Sequence, residues 1–377
     1  MSNLKTKILI TGSEGFIGKN LKKELELIKD YELTFFNRDS DINKLEELIF
    51  KSNFIIHLAG VNRPKEKELF KNTNVVLTKN ICNFIEKKYI KKGIHTPIIF
   101  TSSTQVNQVN EYGISKLDAE LELKKLYKKT SNPITIYRLP GIFGKWCRPN
   151  YNSVVATFCH NIANNIEISI NDENKNLEIL YIDDLIQEII NNLRNFLNNF
   201  HYQKLKPYQI NLKDLANLIK EFRDSRKTKI IPNVGDGLIR RLYATYLSYI
   251  NSDNFSYSLI ENKDKRGSFV EILKTKSSGQ FSFFTAKPGV VRGCHYHNTK
   301  NEKFLVIKGE ARFRFRNILT NECKEIFVNE KEPTVIDSCP GWSHDIKNIG
   351  ENTLYVMLWA NEIFDLDNPD TIFSPTF

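Results

Sequence analysis

The sequence predicts an α/β domain built on a doubly wound parallel sheet, followed by an all-β domain. Residues 6–190 alternate short β-rich runs with longer segments of helical period, which is typical of a parallel sheet covered by helices. After residue 255 the pattern changes to short alternating runs with Gly and Pro turns and frequent Phe, which favours a sandwich or a barrel. A length of 377 residues fits two domains.

The β-rich runs predict five strands in each domain. In the first domain they are Lys7–Ile10, Leu33–Phe36, Phe54–Leu58, Ile98–Thr101 and Thr135–Leu139. In the second they are Gly279–Thr285, Phe304–Ile307, Ala311–Phe315, Thr334–Ile336 and Thr353–Trp359. The last helical pattern before the change covers Leu238–Tyr246. We therefore expect the boundary near Ser248–Asn254, with domains over residues 1–247 and 255–377.

Composition excludes several classes of protein. With 41% hydrophobic and 26% charged residues, the chain is globular rather than disordered, collagen-like or a disulfide scaffold. A net charge of +10 and a pI near 9.1 suit either nucleic acid or an enzyme of anionic metabolites, and we favour the enzyme. The paired lysines at helical spacing, such as Lys87, Lys88, Lys91 and Lys92, indicate solvated helix faces.

Cysteine spacing and hydropathy indicate the compartment. The six cysteines lie far apart with no C-x-x-C pair, so we expect reduced, structural thiols. No apolar run approaches the ~20 residues that a membrane helix needs, and the N-terminus leads into a strand without a signal-peptide pattern. We expect a cytoplasmic protein.

A glycine-rich turn joins the first strand to the first helical segment. Gly12, Gly15 and Gly18 are three residues apart, a spacing that lets the backbone approach a pyrophosphate at a helix N-terminus. In this context the turn predicts a dinucleotide site rather than a purely structural turn. The second strand ends in Asn37 and Arg38, where an NAD enzyme usually has a carboxylate for the ribose 2′-hydroxyl. We therefore favour NADPH over NADH.

Tyr112 and Lys116 are four residues apart, one helical turn, and so share a helix face. A nearby ammonium would lower the pKa of the phenol, which suits the tyrosine to exchange a proton with a substrate oxygen. Ser102 and Ser103 end the preceding predicted strand. Together with the glycine turn, this arrangement makes the spacing of Tyr112 and Lys116 a specific signal rather than a common coincidence.

These motifs resemble those of the extended short-chain dehydrogenases that act on nucleotide sugars, over roughly residues 5–245. The resemblance implies that Ser103 hydrogen-bonds the substrate carbonyl, that Tyr112 is the proton donor and that Lys116 holds the nicotinamide ribose. It also implies a Rossmann-like fold and a set of cofactor-binding residues. That set is Gly12, Gly15, Phe16, Ile17, Gly18, Asn37, Arg38, Leu58, Ala59, Gly60, Tyr112, Lys116 and Pro140.

The chain departs from this family at two places. Only nine positions separate Ser103 from Tyr112, which implies a shortened loop over the site, and Gly141 replaces an Asn that many relatives use to bind substrate. Sugar 4,6-dehydratases carry an Asp-Glu pair after the serine, since elimination of water needs a further acid and base. Thr104 and Gln105 stand here instead, so we set dehydration aside.

Four side chains of the second half suggest a metal site. His295 and His297 share one face if they lie in a strand, and Glu302 and His344 could complete the site from a neighbouring hairpin. Three His and one Glu suit Zn²⁺, and also Fe, Mn, Ni or Cu. The spacing resembles the two cupin motifs, which implies a jelly-roll barrel over residues 255–377. A metal-free, sugar-binding cupin is the alternative.

An extended dehydrogenase followed by a cupin resembles a family of bifunctional capsular-polysaccharide enzymes. The stretches 144–153 and 299–306 are similar to that family's own. The resemblance implies a UDP-linked 4-keto-6-deoxy-N-acetylhexosamine, epimerised at C3 by the cupin and reduced at C4 with NADPH. The product would be UDP-2-acetamido-2,6-dideoxy-L-talose, on the route to UDP-N-acetyl-L-fucosamine. The resemblance also implies a homodimer formed through the cupin.

Two other functions stay open at this point. One is an NAD-dependent nucleotide-sugar 4-epimerase whose cupin only dimerises, and Arg38 argues against it. The other is a regulator that senses NADP(H) or binds nucleic acid, and the Ser103, Tyr112 and Lys116 set argues against that.

Overall fold

The computed structural model of the protein describes residues 5–64 and 66–376. The chain divides into two compact units. One comprises the residues up to Ile219 together with Ala244–Ile250, and the other comprises Lys220–Tyr243 and the residues from Asn251 onward. Among the described residues, no helix combines the length and the apolar character that crossing a bilayer requires.

The first unit is built on a parallel sheet, as the sequence predicts. Its strands are β1 (Thr6–Thr11), β2 (Tyr31–Phe36), β3 (Phe54–His57), β4 (Ile98–Ser103), β5 (Ile134–Leu139) and β8 (Phe200–Gln203). They lie in the order β2-β1-β3-β4-β5-β8, and every pair is parallel. A smaller sheet contains β6 (Gly141–Phe143), β7 (Asn176–Tyr181) and β9 (Tyr208–Asn211).

Helices cover both faces of the six-stranded sheet. They are α1 (Phe16–Glu26), α2 (Asn43–Lys51), α3 (Leu77–Lys92), α4 (Glu111–Thr130) and α6 (Ile182–Arg194). The other helices are α5 (Val154–Ala163), α7 (Leu212–Thr228) and α8 (Gly237–Leu247). Ile8 and Ile10 pack with α1 and α6, while Leu9 between them packs with α2, α3 and α4. Burial on both faces explains why these strands are continuous apolar runs.

The strand order reverses between β1 and β3. In open parallel sheets the crevice at such a reversal, beyond the carboxyl ends of the strands, is where ligands bind. Both strands end there in segments that the sequence analysis assigns to the cofactor, the turn after Thr11 and the residues after His57.

A buried carboxylate fixes α4 against β4 and β5. Glu120 is fully buried and accepts hydrogen bonds from Arg138 (3.0 and 2.7 Å), Ser102 (2.6 Å) and Tyr202 (2.9 Å). Burial alone would raise the pKa of Glu120, but these donors outweigh it and hold the pKa below its usual range. The helix that carries Tyr112 is thereby anchored to the sheet by a charged network.

From Glu261 onward the second unit is built of antiparallel strands. They are β10 (Glu261–Asp264), β11 (Gly267–Thr275), β12 (Gly279–Ala286), β13 (Val291–Tyr296), β14 (Glu302–Lys308), β15 (Glu310–Asn317), β16 (Cys323–Asn329), β17 (Val335–Ser338), β18 (Trp342–Asn348), β19 (Leu354–Ala360) and β20 (Ile372–Phe373). They form sheets of order β10-β11-β12-β19-β14-β17 and β16-β15-β18-β13-β20. Apolar side chains of both sheets, such as Phe304 and Phe313, share one core. The prediction of an all-β second domain is confirmed.

Substitution of Gly113 by Ala should destabilise the protein. Glycine to alanine inside a helix usually adds about 1 kcal/mol of stability. Here a Cβ would lie 2.1 Å from the backbone oxygen of Gln105, so the start of α4 must move, at a cost of about 1–3 kcal/mol. Urea unfolding followed by circular dichroism measures the change, with Leu121→Ala on the exposed side of the same helix as control. A gain in stability would show that α4 does not pack on Gln105.

Candidate active site and metal centre

The glycine turn brings the start of α1 close to β3. Gly12 has φ +73°, and a Cβ there would lie 2.8 Å from the backbone of Ala59. A Cβ on Gly18 would lie 2.3 Å from the oxygen of Gly12, so helix and turn touch through backbone atoms. Gly15 is the N-cap of α1. The free N–H groups of this helix end therefore face the crevice, where they favour a phosphate.

Every cofactor residue that the sequence predicts lines one of two adjoining cavities, of about 570 and 740 Å³. Asn37 and Arg38 line the larger one together with Asp39. Asn37 exchanges hydrogen bonds with the Ser13 hydroxyl at 3.0–3.1 Å, so its amide occupies the position of the usual carboxylate. At the end of β2, Arg38 is preceded by Asn37 and followed by Asp39, so both a cation and a carboxylate border this cavity.

Ser103, Tyr112 and Lys116 line the smaller cavity together with Pro140. Ser103 ends β4, and Tyr112 lies in the first turn of α4. A short 3₁₀ turn, Thr104–Asn107, spans most of the interval. The Tyr112 and Ser103 side chains line the same cavity. The structure thus brings all three residues to one wall of the crevice.

The expectation that Lys116 lowers the pKa of Tyr112 is wrong for this structure. Burial raises the pKa of Tyr112, and the hydrogen bond from Ser103 offsets the shift only in part. Lys116 instead donates to the backbone oxygen of Thr101 at 2.8 Å and lies 4.9 Å above the ring of Phe100. Burial lowers the pKa of Lys116 itself to about 8. The phenol is therefore protonated at neutral pH, the form that donates a proton.

Asn74 supports this wall, and the sequence analysis did not single it out. It is buried and bonds both backbone groups of Val61, at 2.8 and 3.0 Å, and the hydroxyl of Ser115, at 2.9 Å. Asn74 lies in a π-helical segment, Phe70–Val76, an irregularity that often marks a functional site. It ties the loop after Gly60 to the helix of Tyr112. The sequence signal, a single Asn in a polar run, was too weak to identify it.

Four side chains of the second unit converge. The ligand atoms of His295, His297, Glu302 and His344 lie within 4.8 Å of one another. His295 on β13 is paired in register with His344 on β18, and Glu302 is the first residue of β14. His297 follows the end of β13, so the two histidines do not lie in one strand. Their rings are nevertheless 4.8 Å apart.

The electrostatics suit a cation. One oxygen of Glu302 lies 3.2 Å from Nε2 of both His297 and His344. Burial would raise the pKa of Glu302, but its bonds to these two histidines outweigh that and lower it strongly. Burial lowers the pKa of His295 to about 4, with a further contribution from His344. A neutral imidazole and an ionised carboxylate are the forms that bind a divalent metal such as Zn²⁺.

The C-terminal segment holds one of these histidines, which the sequence analysis missed. Nδ1 of His297 lies 2.5 Å from the carbonyl oxygen of Asp370, which turns Nε2 toward the cluster. The carboxylate of Asp370 accepts N–H bonds from Asn298, Thr299 and Lys300 at 2.7–2.9 Å. Because the contact joins positions 73 residues apart, no spacing in the sequence reveals it.

Both parts of the chain are similar to known protein families. Residues 8–210 match the profile of the NAD dependent epimerase/dehydratase family, and residues 262–372 match the polysaccharide biosynthesis C-terminal domain. The chain is 49% identical over 366 residues, 97% of each chain, to UDP-2-acetamido-2,6-beta-L-arabino-hexul-4-ose reductase of Pseudomonas aeruginosa. UDP-glucose 4-epimerase of Vibrio cholerae is 29% identical over 39% of this chain and 55% of its own.

One similar solved structure is that of the capsular polysaccharide assembling protein CapF from Staphylococcus aureus. It has a TM-score of 0.87 and 39% identity, and the match covers 98% of this chain and 99% of that one. The similarity in sequence and in fold extends along nearly the whole chain. The chain therefore belongs to the NAD dependent epimerase/dehydratase family and, within it, to the CapF group, in which the C-terminal polysaccharide biosynthesis domain follows the dehydrogenase.

Proposed function

We propose that the protein is a bifunctional nucleotide-sugar enzyme of surface polysaccharide synthesis. Its second domain would epimerise a UDP-4-keto-6-deoxy-N-acetylhexosamine at C3 with the help of a metal ion, and its first would reduce C4 with NADPH. The product would be UDP-2-acetamido-2,6-dideoxy-L-talose, on the route to UDP-N-acetyl-L-fucosamine. The near-full-length similarity to a UDP-sugar 4-keto reductase supports the substrate.

The observation that carries the proposal is the presence of two complete sites in one chain. Ser103, Tyr112 and Lys116 line a cavity in the first unit, and three histidines and a glutamate converge in the second. A reductase alone would not need the buried His and Glu cluster. We assign residues 1–247 to the reductase and residues 255–377 to the epimerase.

The chemistry of the substrate sets the order of the two steps. The proton on C3 is acidic only while C4 is a ketone, because the C4 oxygen then takes up the negative charge left on the sugar. A bound divalent cation supplies positive charge that stabilises this oxygen. His295, His297, Glu302 and His344 would hold that ion. Epimerisation precedes reduction, since the alcohol at C4 no longer acidifies C3.

In the reduction, the chain's own residues handle the oxygen of C4. NADPH supplies the hydride to the carbon, and the Tyr112 hydroxyl delivers a proton to the oxygen. Ser103 hydrogen-bonds the same oxygen, and the Lys116 ammonium lies in the same cavity. The raised pKa of Tyr112 suits this direction, because the residue begins the step protonated.

The finer parts of the proposal have separate support. NADPH rather than NADH is supported by Asn37 and Arg38 at the end of β2. Zn²⁺ is supported by the three imidazoles and one carboxylate. Homodimerisation through the second domain and a cytoplasmic location follow from the family resemblance. No partner nucleic acid is part of the proposal.

Product mass after reaction in D₂O tests the two activities together. After the hydroxyl protons are returned to H₂O, reduction adds two mass units and C3 epimerisation adds one more, from a solvent deuteron. Tyr112→Phe should slow NADPH oxidation about 10²–10⁴-fold, the usual contribution of a general acid, and should still place deuterium at C3. Glu302→Gln should lose the deuterium but still reduce the epimerised ketone. Glu322→Gln, an exposed residue, is the matched control.

Reduction without any deuterium at C3 would make the second domain a non-catalytic module. No mass change with a substrate that another enzyme accepts would overturn the assignment. Tightly held NAD that co-purifies and is recycled would instead favour a 4-epimerase.

Asp370 should contribute to metal affinity although it is not a ligand. Asp370→Ala removes the carboxylate that holds the loop of residues 298–300, and loss of such supporting groups typically costs 10–100-fold in metal affinity. Competition with a chromophoric chelator measures the dissociation constant for Zn²⁺. Asp367→Ala, exposed in the same segment, should leave it unchanged. Equal affinities for both variants would show that this loop does not orient His297.

A further inference from the structure

The second unit contains a cavity of about 530 Å³ that holds more than the metal cluster. His295, Glu302 and His344 line it, and so do two arginines, Arg266 and Arg292. A guanidinium group presents a planar set of donors that matches the oxygens of phosphate groups. The epimerisation chemistry described above uses neither arginine.

A bulge in β13 puts Arg292 and His295 on the same side. Residues three apart in a regular strand point to opposite faces, yet both of these line the cavity. The pairing of β13 with β18 shifts register between Gly293 and His295, so Cys294 is the extra residue. Gly293 and Cys294 have φ of +100° and +64°. A bulge that redirects a side chain is common beside functional sites.

The donors of Arg292 are only partly satisfied. Its side chain is 14% exposed and lies 5.3 Å from the ring centre of Phe284. One nitrogen donates to the oxygen of Ser268 at 3.4 Å, and the same nitrogen is 3.9 Å from Asp264. Its buried Nε has no hydrogen-bond partner in the described structure. A guanidinium has five N–H donors, so this one has capacity for a ligand.

Asp264 is shared between two arginines. Its carboxylate accepts from the Arg266 side chain at 2.6 and 2.9 Å and from the Arg266 backbone at 2.8 Å. The hydrogen bond with Arg266 lowers the pKa of Asp264 to about 2, so one negative charge faces two positive ones. The pKa of Arg292 is lowered by burial and by the charge of Arg266. An anion at this place would relieve that repulsion.

The other carboxylates of the cavity wall are neutralised or lie elsewhere. Glu271 is 2.7 Å from Lys274, and Asp345 accepts two hydrogen bonds from Arg314. Glu362 belongs to the segment after β19, which is hydrogen-bonded to the loop before β14 at the metal end. Of the lysines in the wall, Lys300 lies 3.6 Å from Glu302 and Lys263 lies 2.8 Å from Glu261. The positive charge without a matching carboxylate is therefore that of the arginine pair.

We propose that Arg292 and Arg266 bind the diphosphate of a nucleoside-diphosphate sugar whose hexose lies against the metal cluster. This inference rests on the proposed function and gives the cavity its own substrate clamp, separate from the reductase site. Arg292 and His295 lie on either side of the bulge, and both line the cavity. A diphosphate at Arg292 can therefore accompany a sugar whose reacting carbons lie at the metal cluster. Each chain then has two sites for the nucleotide.

Binding of UDP alone, measured by titration calorimetry with the metal-loaded full-length protein, tests the clamp. The wild type should bind two UDP per chain, and Arg292→Gln should lose one of them or bind it at least tenfold more weakly. Arg312→Gln is the matched control. Arg312 also has a buried Nε without a partner in the described residues, but it pairs with Glu325. The Arg312→Gln variant should therefore keep both UDP sites, and the metal content should be unchanged in every variant.

A second substitution should change the affinity for UDP in the opposite direction. Asp264→Asn removes the carboxylate that competes for the arginines, so it should tighten the same UDP site. If the pair were only structural, this variant would bind UDP no more tightly than the wild type, and that result would overturn the clamp. Unchanged UDP stoichiometry and affinity in Arg292→Gln would also overturn the clamp.

Exchange of the C3 proton separates this inference from the proposed function. Arg292→Gln should raise KM for exchange about tenfold or more with a small effect on kcat, because it removes binding common to ground and transition states. Wild-type exchange together with an unaltered KM in the variant would contradict the clamp alone. A wild type that never exchanges C3 would contradict the proposed function, whatever the UDP stoichiometry.

Discussion

A charged side chain held out of water is the constraint on which each site depends. An isolated ion in a protein interior costs several kcal/mol or more, so it persists only where partners surround it. Lys116 has the oxygen of Thr101 and the ring of Phe100, and Glu302 has two imidazoles. Phe100 and Thr101 lie in β4, His344 lies in β18 and His297 follows β13. These neighbouring elements hold each charged group in position.

Each of the two sites suits a different chemical step. In the first unit a neutral phenol is kept protonated by burial, which suits a step that gives a proton to an alkoxide. In the second, neutral imidazoles and an ionised carboxylate suit a cation that stabilises negative charge on a ketone oxygen. The two steps need opposite conditions, a proton donor and a stabilised anion. Separate domains provide them in one chain.

Local patterns in the sequence predict the parallel sheet of the first domain, the all-β second domain and the candidate side chains that the structure brings together at each site. The glycine turn, the pair Tyr112 and Lys116, and the four metal-binding candidates are each read from spacings along the chain. The features that the sequence analysis missed are contacts between distant positions or effects of burial. Asp370 reaches His297 across 73 residues, the bulge at Cys294 leaves no pattern, and the pKa of Tyr112 follows from burial that spacing cannot reveal. Strands β13 and β18 carry His295 and His344. They are absent from the predicted strands because polar side chains interrupt the alternation of apolar and polar residues there.

In the proposed mechanism, epimerisation in the second domain precedes reduction and does not need it. Proton NMR of the ketone substrate in D₂O, with the metal-loaded protein and no NADPH, measures this directly. We expect loss of the C3 proton signal at a rate that Tyr112→Phe leaves unchanged, with the ketone intact. A C3 signal that persists until NADPH is added, or that persists in the Tyr112→Phe variant, would contradict the account.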